Sequence, residues 1–335
     1  MTIHRTPGSA GRRRALAAAL ALPIAGAAGS LRAQAWPARD IRLVLPSGAG
    51  GGADVFGRPL GEFLARSLGV PVVVENRPGA NGIVAHETVL RAPADGHTLL
   101  ISFSAAYLVN RLLMAKMSHD PMSDFAPVGR IGGGGGNVLI VNPAVPVRTL
   151  SELVAHAAAQ GGRLSYGSWG IGSGGHLVME MIKARTGMPM EHVPYKTVAQ
   201  IAPAVVGGEI GVAWIDSATP VGLIRSGRLR AIAVAAQARL PQLPEVPTLN
   251  EQGVPMNVTS WYGMFVAKGT PAPVVERMNA LLNQWLRLPD TVAFFEQKQN
   301  APAPTPTTPA EFARVLQADL EGWKKMVADA RLTPS

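Results

Sequence analysis

Ile41-Arg-Leu-Val-Leu-Pro46 runs directly into Ser47-Gly-Ala-Gly-Gly-Gly-Ala-Asp54, and an apolar-periodic stretch opens at Val55-Phe56. A leucine- and β-branched run, a glycine loop and then a helical pattern make up the opening unit of an α/β sheet. The first N–H groups of a helix have no intrahelical partner and lie at the positive end of its dipole. A loop without side chains at that point therefore lets a carboxylate or phosphate come close. Far along the chain the same device returns as Tyr166-Gly-Ser-Trp-Gly-Ile-Gly-Ser-Gly-Gly-His176. Two such loops predict two lobes that grip one anion between them.

The segments around these loops repeat the rhythm. Strands are expected at Val70 to Val74, Thr98 to Ser102, Val138 to Val141, Leu164 to Tyr166, His192 to Pro194, Ile210 to Ile215 and Ala231 to Ala235, with helical patterns between them. Alternation of that kind predicts parallel βαβ units in two open sheets. Gly132 to Gly136 lies between the halves and reads as a crossover with wide φ/ψ freedom. Near the end, Thr308-Pro-Ala-Glu311 opens a helix with Phe312, Leu316, Leu320, Trp323 and Met326 on one face, which is expected to cover a sheet.

With 335 residues, 47% hydrophobic and 16% charged, the chain can fill two cores. Residues 1–35 read as a signal peptide: Arg12, Arg13 and Arg14, an Ala/Leu run from Ala15, and Ala33-Gln-Ala35 as a small-x-small site, with cleavage expected before Trp36. The apolar run, about fourteen residues, is short of the roughly twenty that span a bilayer, so a periplasmic product is expected. Loss of five arginines with that segment lowers the formal charge from +9 to +4. A mildly basic chain suits an acidic small molecule, and no basic run interleaved with aromatics suggests nucleic acid. Zero cysteines exclude disulfides, thiolate metal sites and a cysteine nucleophile. Neither a phosphate-binding G-x-x-x-x-G-K-[ST] loop, a zincin helix nor a G-x-S-x-G elbow is present, and no metal site is expected.

Gly170-Ile-Gly172-Ser-Gly-Gly175 does satisfy G-x-G-x-x-G, and Glu75 ends the second expected strand where a dinucleotide fold holds a ribose. A dinucleotide-dependent enzyme is therefore the rival reading, opposed by the export signal and by the doubling of the loop. Asp54 reads as a helix cap or a ligand contact, and His176 as a ligand donor or a cap.

Short motifs in a fixed order sharpen the choice. Ile41 to Pro46, Gly50 to Asp54 with Arg58, Val74-Glu-Asn-Arg-Pro-Gly-Ala80, Asp95-Gly-His-Thr-Leu99, Phe125-Ala-Pro-Val128, Tyr166 to Ser173, His192-Val-Pro-Tyr-Lys196 and Ser226-Gly-Arg-Leu-Arg-Ala231 together resemble the tripartite tricarboxylate transporter substrate receptors, also called Bug proteins. The resemblance spans about Trp36 to Ala330 and implies two Rossmann-like α/β lobes of periplasmic-binding-protein type, with residues 36–137 plus 257–335 forming one and 138–256 the other. It implies a monomeric, cofactor-free receptor, not an enzyme, that delivers a di- or tricarboxylate, amino acid or aromatic acid to a membrane transporter; an orphan receptor feeding a sensor is the alternative.

Carried over by position, the ligand contacts are expected from Ser47, Gly50, Gly51, Gly52 and Asp54, from Ser168, Gly170, Gly172, Ser173 and His176, and from Asp216 and Ser217. The chain departs from the family pattern at Ser47-Gly-Ala49 and at Ala106-Tyr107, which makes Tyr107 a candidate for specificity. A branched side chain at Gly51 is expected to block the approach to the backbone amides.

Overall fold

The chain builds two five-stranded sheets in the order its strands allow. The first contains β1 (Ile41–Leu45), β2 (Val72–Asn76), β3 (Thr98–Phe103), β4 (Phe125–Gly133) and β10 (Trp261–Ala267), arranged β2-β1-β3-β10-β4. The second contains β5 (Asn137–Val141), β6 (Ser165–Ser168), β7 (Glu191–Pro194), β8 (Val212–Asp216) and β9 (Arg230–Ala235), arranged β7-β6-β8-β5-β9. This computed structural model describes residues 1–2, 36–133, 136–217, 219–236, 238–256, 260–299, 302–329 and 332. The expected signal peptide lies outside the described residues. Residues 39–335 form one compact unit.

β1 is an interior strand, parallel to β2 on one side and β3 on the other, and Leu43, Val44 and Leu45 are fully buried. That burial is why the strand reads as an unbroken apolar run rather than an alternating one. Both sheets are mixed, with the expected parallel pairing among β1, β2 and β3 and among β6, β7 and β8. β10 runs antiparallel to β3 and β4, and β5 runs antiparallel to β8 and β9. The reason is connectivity. The chain leaves the first sheet at β4, enters the second at β5, and returns to insert β10 between β3 and β4, so one strand in each sheet arrives from the opposite half.

The five-glycine run is partly strand. Gly132 belongs to β4, where a Cβ would meet Phe56 Cε1 at 2.9 Å and Phe295 Cε1 at 3.0 Å, so close ring packing explains the missing side chain. Gly133 has φ +103° and abuts the Ser260 carbonyl, and residues 134–135 lie outside the described residues.

The last helix, Pro309–Asp329, opens with the expected capping box: the Glu311 amide donates to Thr308 Oγ1 at 3.2 Å and the Thr308 amide to Glu311 Oε2 at 2.7 Å. Its apolar face is buried as expected. Phe312 lies edge-on to Trp261 at 5.4 Å, against a glycine of β10, Gly263, whose Cβ would stand 2.5 Å from Phe312 Cζ. At the other end Asp329 pairs with Arg185 at 2.9 Å on the helix Gly174–Thr186. One helix thus contacts β10 of the first sheet and a helix that packs on the second.

Candidate functional site

At the first glycine loop the helix Gly52–Leu68 begins with Gly51 as N-cap (φ −75°, ψ 167°), and no side chain caps it. Val55 N–H makes the first intrahelical bond, to Gly51 O at 3.0 Å. The amides of Gly52, Ala53 and Asp54 therefore remain as orphan donors, and Gly52 and Ala53 line the cleft.

Asp54 is neither cap nor cleft residue. At the third helical position its carboxylate turns back, accepting from Gly50 N–H, Arg58 Nε and Asn76 Nδ2, each at 2.9 Å. Asn76 Nδ2 also donates to Ser47 O at 2.8 Å. Burial works to raise the Asp54 pKa, but the bonds from Arg58, Gly50 and Asn76 outweigh it and hold the carboxyl below its ordinary value. The residue braces the loop from behind. Asp54→Asn replaces one acceptor oxygen by a donor and leaves either Arg58 or Asn76 facing an N–H. We expect a loss of about 1–3 kcal/mol in urea unfolding, together with weaker ligand binding.

The second loop satisfies some of its own donors. Ser173 caps the helix Gly174–Thr186 by accepting from His176 N–H at 3.3 Å, while Gly172 N–H donates to His176 Nδ1 at 3.2 Å and Ser173 N–H to Gly170 O at 3.2 Å. Ser168 and Ser173 are fully buried beneath the loop, bonded to one another at 3.1 Å, and Ser168 Oγ meets His192 Nε2 at 2.7 Å. Burial lowers the pKa of His176, and burial together with neighbouring His176 pushes that of His192 down to about 4.

Gly170, Gly172 and His176 line the cleft; Ser168 and Ser173 hold them up from below. Both loops thus leave first-turn amides open, Gly52 and Ala53 in the first and Gly174 and Gly175 in the second, while Ser173 and His176 tie the second loop together.

The remaining wall was only partly legible. Asp216 lies in it and accepts from Thr219 N–H at 3.0 Å, whereas Ser217 does not reach the cleft. Tyr107 is removed from the candidate site: it is 1% exposed, stacked on Phe265 at 4.2 Å, with its hydroxyl donated to Pro121 O at 2.7 Å. Its apolar neighbours claim the ring, and the buried helical turn Ala105–Val109 that follows β3 sets it in the core.

Three contributions escaped the sequence reading. The helix Val198–Val206, capped by Thr197 in a capping box with Gln200, presents Val198 and Ala199 at its N-terminus to the cleft. Tyr262 on β10 brings its hydroxyl against Gly52, and burial with Asp216 nearby keeps that phenol protonated far above its ordinary range. Asn81, left-handed at φ 47°, donates Nδ2 to Asn110 Oδ1 at 2.8 Å and across the cleft to Gly172 O at 3.1 Å. Only the family-like Pro-Tyr-Lys and Pro-Gly-Ala motifs beside them could have flagged the first and last.

The space so enclosed measures about 1010 Å³. Ser47 Oγ and Asn81 Oδ1 are buried in its wall without a hydrogen-bond partner, which is the signature of a site that receives polar atoms from outside the chain. Glu75, the ribose candidate, is bound instead to Arg42 Nε at 3.0 Å and to Arg77. Among the described residues no cluster of three metal-ligating side chains exists.

Two mixed α/β lobes with a polar-ended cleft between them define a solute-binding protein of the periplasmic type. The sequence pattern described as "Tripartite tricarboxylate transporter family receptor" matches residues 56–332, and the chain belongs to that family, whose members are receptors rather than enzymes. It is 36% identical over 328 residues to the "UPF0065 protein in tcbD-tcbE intergenic region" of Pseudomonas sp. (strain P51), covering 96% of this chain and 95% of that one. It is 32% identical over 307 residues to "Protein BugT" of Bordetella pertussis, covering 91% and 93%. Among solved structures, "R. palustris Rpa4515 with adipate" superposes with a TM-score of 0.82 at 30% identity, covering 90% of this chain and all of that one.

Proposed function

We propose that this chain is a periplasmic receptor that captures one small carboxylate between its lobes and delivers it to a tripartite-type membrane transporter. The observation that carries the reading is the uncapped first turn of the helix Gly52–Leu68, whose Gly52 and Ala53 line the cleft and whose first amides have no partner of their own. An anion there gains both the dipole and the open donors. The adipate named for the solved relative is a carboxylate of the same kind. In this reading residues 36–137 with 257–335 and residues 138–256 are the two moving bodies, residues 1–35 are removed on export, and the mature receptor works as a monomer.

Tyr262 is assigned the role of an added donor to the bound carboxylate. Calorimetry over di- and tricarboxylates, amino acids and aliphatic and aromatic acids tests the reading, with at least one acid expected to bind the mature chain. Tyr262→Phe is expected to weaken that acid about tenfold or more, as loss of a hydrogen bond to a charged group does. A chain that ignores every acid and binds a nicotinamide or flavin dinucleotide would overturn it.

A further inference from the structure

Among the described residues, Ala80 and Asn81 are the two other than glycine that hold a positive φ, at 44° and 47°, and Gly82 follows at 94°. Backbone of that kind is unfavourable for L-residues and persists where its surroundings fix it. Asn110, a residue of the first lobe that is 2% exposed, fixes it here. Asn110 Nδ2 donates to the Asn81 carbonyl at 3.0 Å, and Asn110 Oδ1 accepts from Asn81 Nδ2 at 2.8 Å.

That pairing decides which way the Asn81 amide faces. A backbone carbonyl accepts and never donates, so the Asn110 group turned toward it is the NH2, and the Asn110 oxygen is left for Asn81. The Asn81 group that meets this oxygen is therefore Nδ2, with one hydrogen committed and one to spare. The spare hydrogen goes to Gly172 O at 3.1 Å, on the glycine loop of the second lobe.

Gly172 is placed for this contact. A Cβ on it would stand 3.6 Å from Asn81 Nδ2, 3.7 Å from Asn110 Oδ1 and 4.0 Å from Leu113 Cδ1, all three on the first lobe. Its own N–H donates to His176 Nδ1 at 3.2 Å, in the first turn of the helix Gly174–Thr186. Gly172 is thus held by its amide from its own lobe and by its carbonyl from the other. Gly174 and His176 line the cleft from the same loop and helix start, so the Asn81 bond also fixes where that start stands relative to the first lobe.

We propose that Asn81 is the latch of the cleft: its side chain, strapped to Asn110, ties the second glycine loop to the first lobe in the closed arrangement and lets go when the lobes part. Asn81 is a positioning residue, acting through Gly172 and the helix start behind it. Opening breaks one cross-lobe hydrogen bond, so the latch shifts the balance between closed and open forms by what such a bond is worth. The inference goes beyond the carboxylate reading and does not depend on which acid is bound.

The chain contains no cysteine, so spin labels on Glu62→Cys and Ala158→Cys, exposed helical positions in the first and second lobes, report one interlobe distance by pulsed electron spin resonance. Asn81→Gly removes the side chain while glycine keeps the positive φ without strain. Asn81→Asp keeps the shape but sets an oxygen in place of the donor, against Gly172 O and Asn110 Oδ1. In the labelled mature chain, Asn81→Gly is expected to lower the closed-to-open ratio about threefold to tenfold, as loss of one hydrogen bond does, and Asn81→Asp to lower it further. The ratio is read first without any acid, so its result is separate from the carboxylate reading, and again with adipate added. A ratio unchanged in both variants, without and with adipate, overturns the inference. A melting temperature that falls while the ratio stays fixed gives Asn81 a role within the first lobe alone and overturns it as well.

Discussion

Gly52→Ala is expected to abolish carboxylate binding, a loss of at least about a hundredfold, although helix propensity alone favours alanine at a helical position by roughly 1 kcal/mol. The opposing term is contact. A Cβ on Gly52 would fall inside the Tyr262 hydroxyl and 2.7 Å from its Cζ, so the ring must leave its place. That ring is not free to do so, since it packs on Phe56 at 5.0 Å and on Phe103 at 6.3 Å. Overpacking of this kind costs about 1–3 kcal/mol, which exceeds the propensity gain. Whichever of the helix start and Tyr262 gives way, two of the donors assigned to the anion move apart.

Calorimetry with the best-bound acid and urea unfolding of the same variant separate the two effects. Gly50→Ala is the control: nothing lies within 4 Å of its Cβ, but φ is +75°, so it strains the loop without filling the cleft. It should cost about 1 kcal/mol of stability and far less affinity. If Gly52→Ala binds as the parent does, the first loop is not where the carboxylate sits.

The same geometry revises the expectation for Gly51. Its Cβ would point at Ser47 Cβ, 2.8 Å away, and at Ser47 Oγ, 3.0 Å away, inside the loop and not toward the cleft. A branched side chain at Gly51 would spoil the loop by unfolding its turn, whereas at Gly52 it would spoil the site itself. The sequence marks out the glycine loop but not which of its Cα atoms faces the cleft, because that depends on a tyrosine far along the chain.

The strands that follow strand, loop, helix order were legible because each is a short apolar run bounded by turn residues. β4 and β10 were not. β4 carries Pro127 and three glycines, which read as loop, and its pairing is supplied by β10, whose partners lie more than a hundred residues earlier. No local pattern encodes that return. The site shows the same division. Gly52, Gly170, Gly172 and His176 were found from their loops, while Tyr262, Asn81 and the Thr197 helix start were missed because only the folded cleft assembles them. Ser168, Ser173 and Asp54 were found as site residues and turn out to hold the loops from behind.

Between pH 6.5 and 4.5 the protein is expected to lose stability steeply, with His86 as the largest single contributor. His86 is fully buried, bonded to Ser102 Oγ at 2.8 Å and His119 Nε2 at 3.1 Å, and flanked by the rings of Tyr107 and Phe125. Burial, with the neighbouring His119 adding to it, pushes its pKa down to about 3. The unfolded chain takes up a proton near the ordinary value of about 6.5 and the folded one does not. The stabilising neutral form is thus fully in place above pH 6.5, and its benefit is lost as pH falls from there toward 3. At about 1.36 kcal/mol per pH unit, His86 alone accounts for roughly 2.7 kcal/mol by pH 4.5. His192, lowered to about 4, loses stability through the same window, and its protonation also disturbs the Ser168 contact that supports the second loop.

The carboxylates held below their ordinary values, Asp54, Glu75 and Glu180, oppose acid in the same direction but only below their unfolded values near pH 4 to 4.5. A fall already present between pH 6.5 and 5 therefore belongs to the histidines. Urea unfolding at pH 7, 6 and 5 measures it directly. His86→Gln should be less stable at pH 7, since it replaces a buried ring, yet show a shallower decline with acid. The His86 ring proton shift in a heteronuclear spectrum should stay unmoved down to pH 5. A flat stability profile over that range, or a His86 resonance titrating near 6.5, would remove the argument.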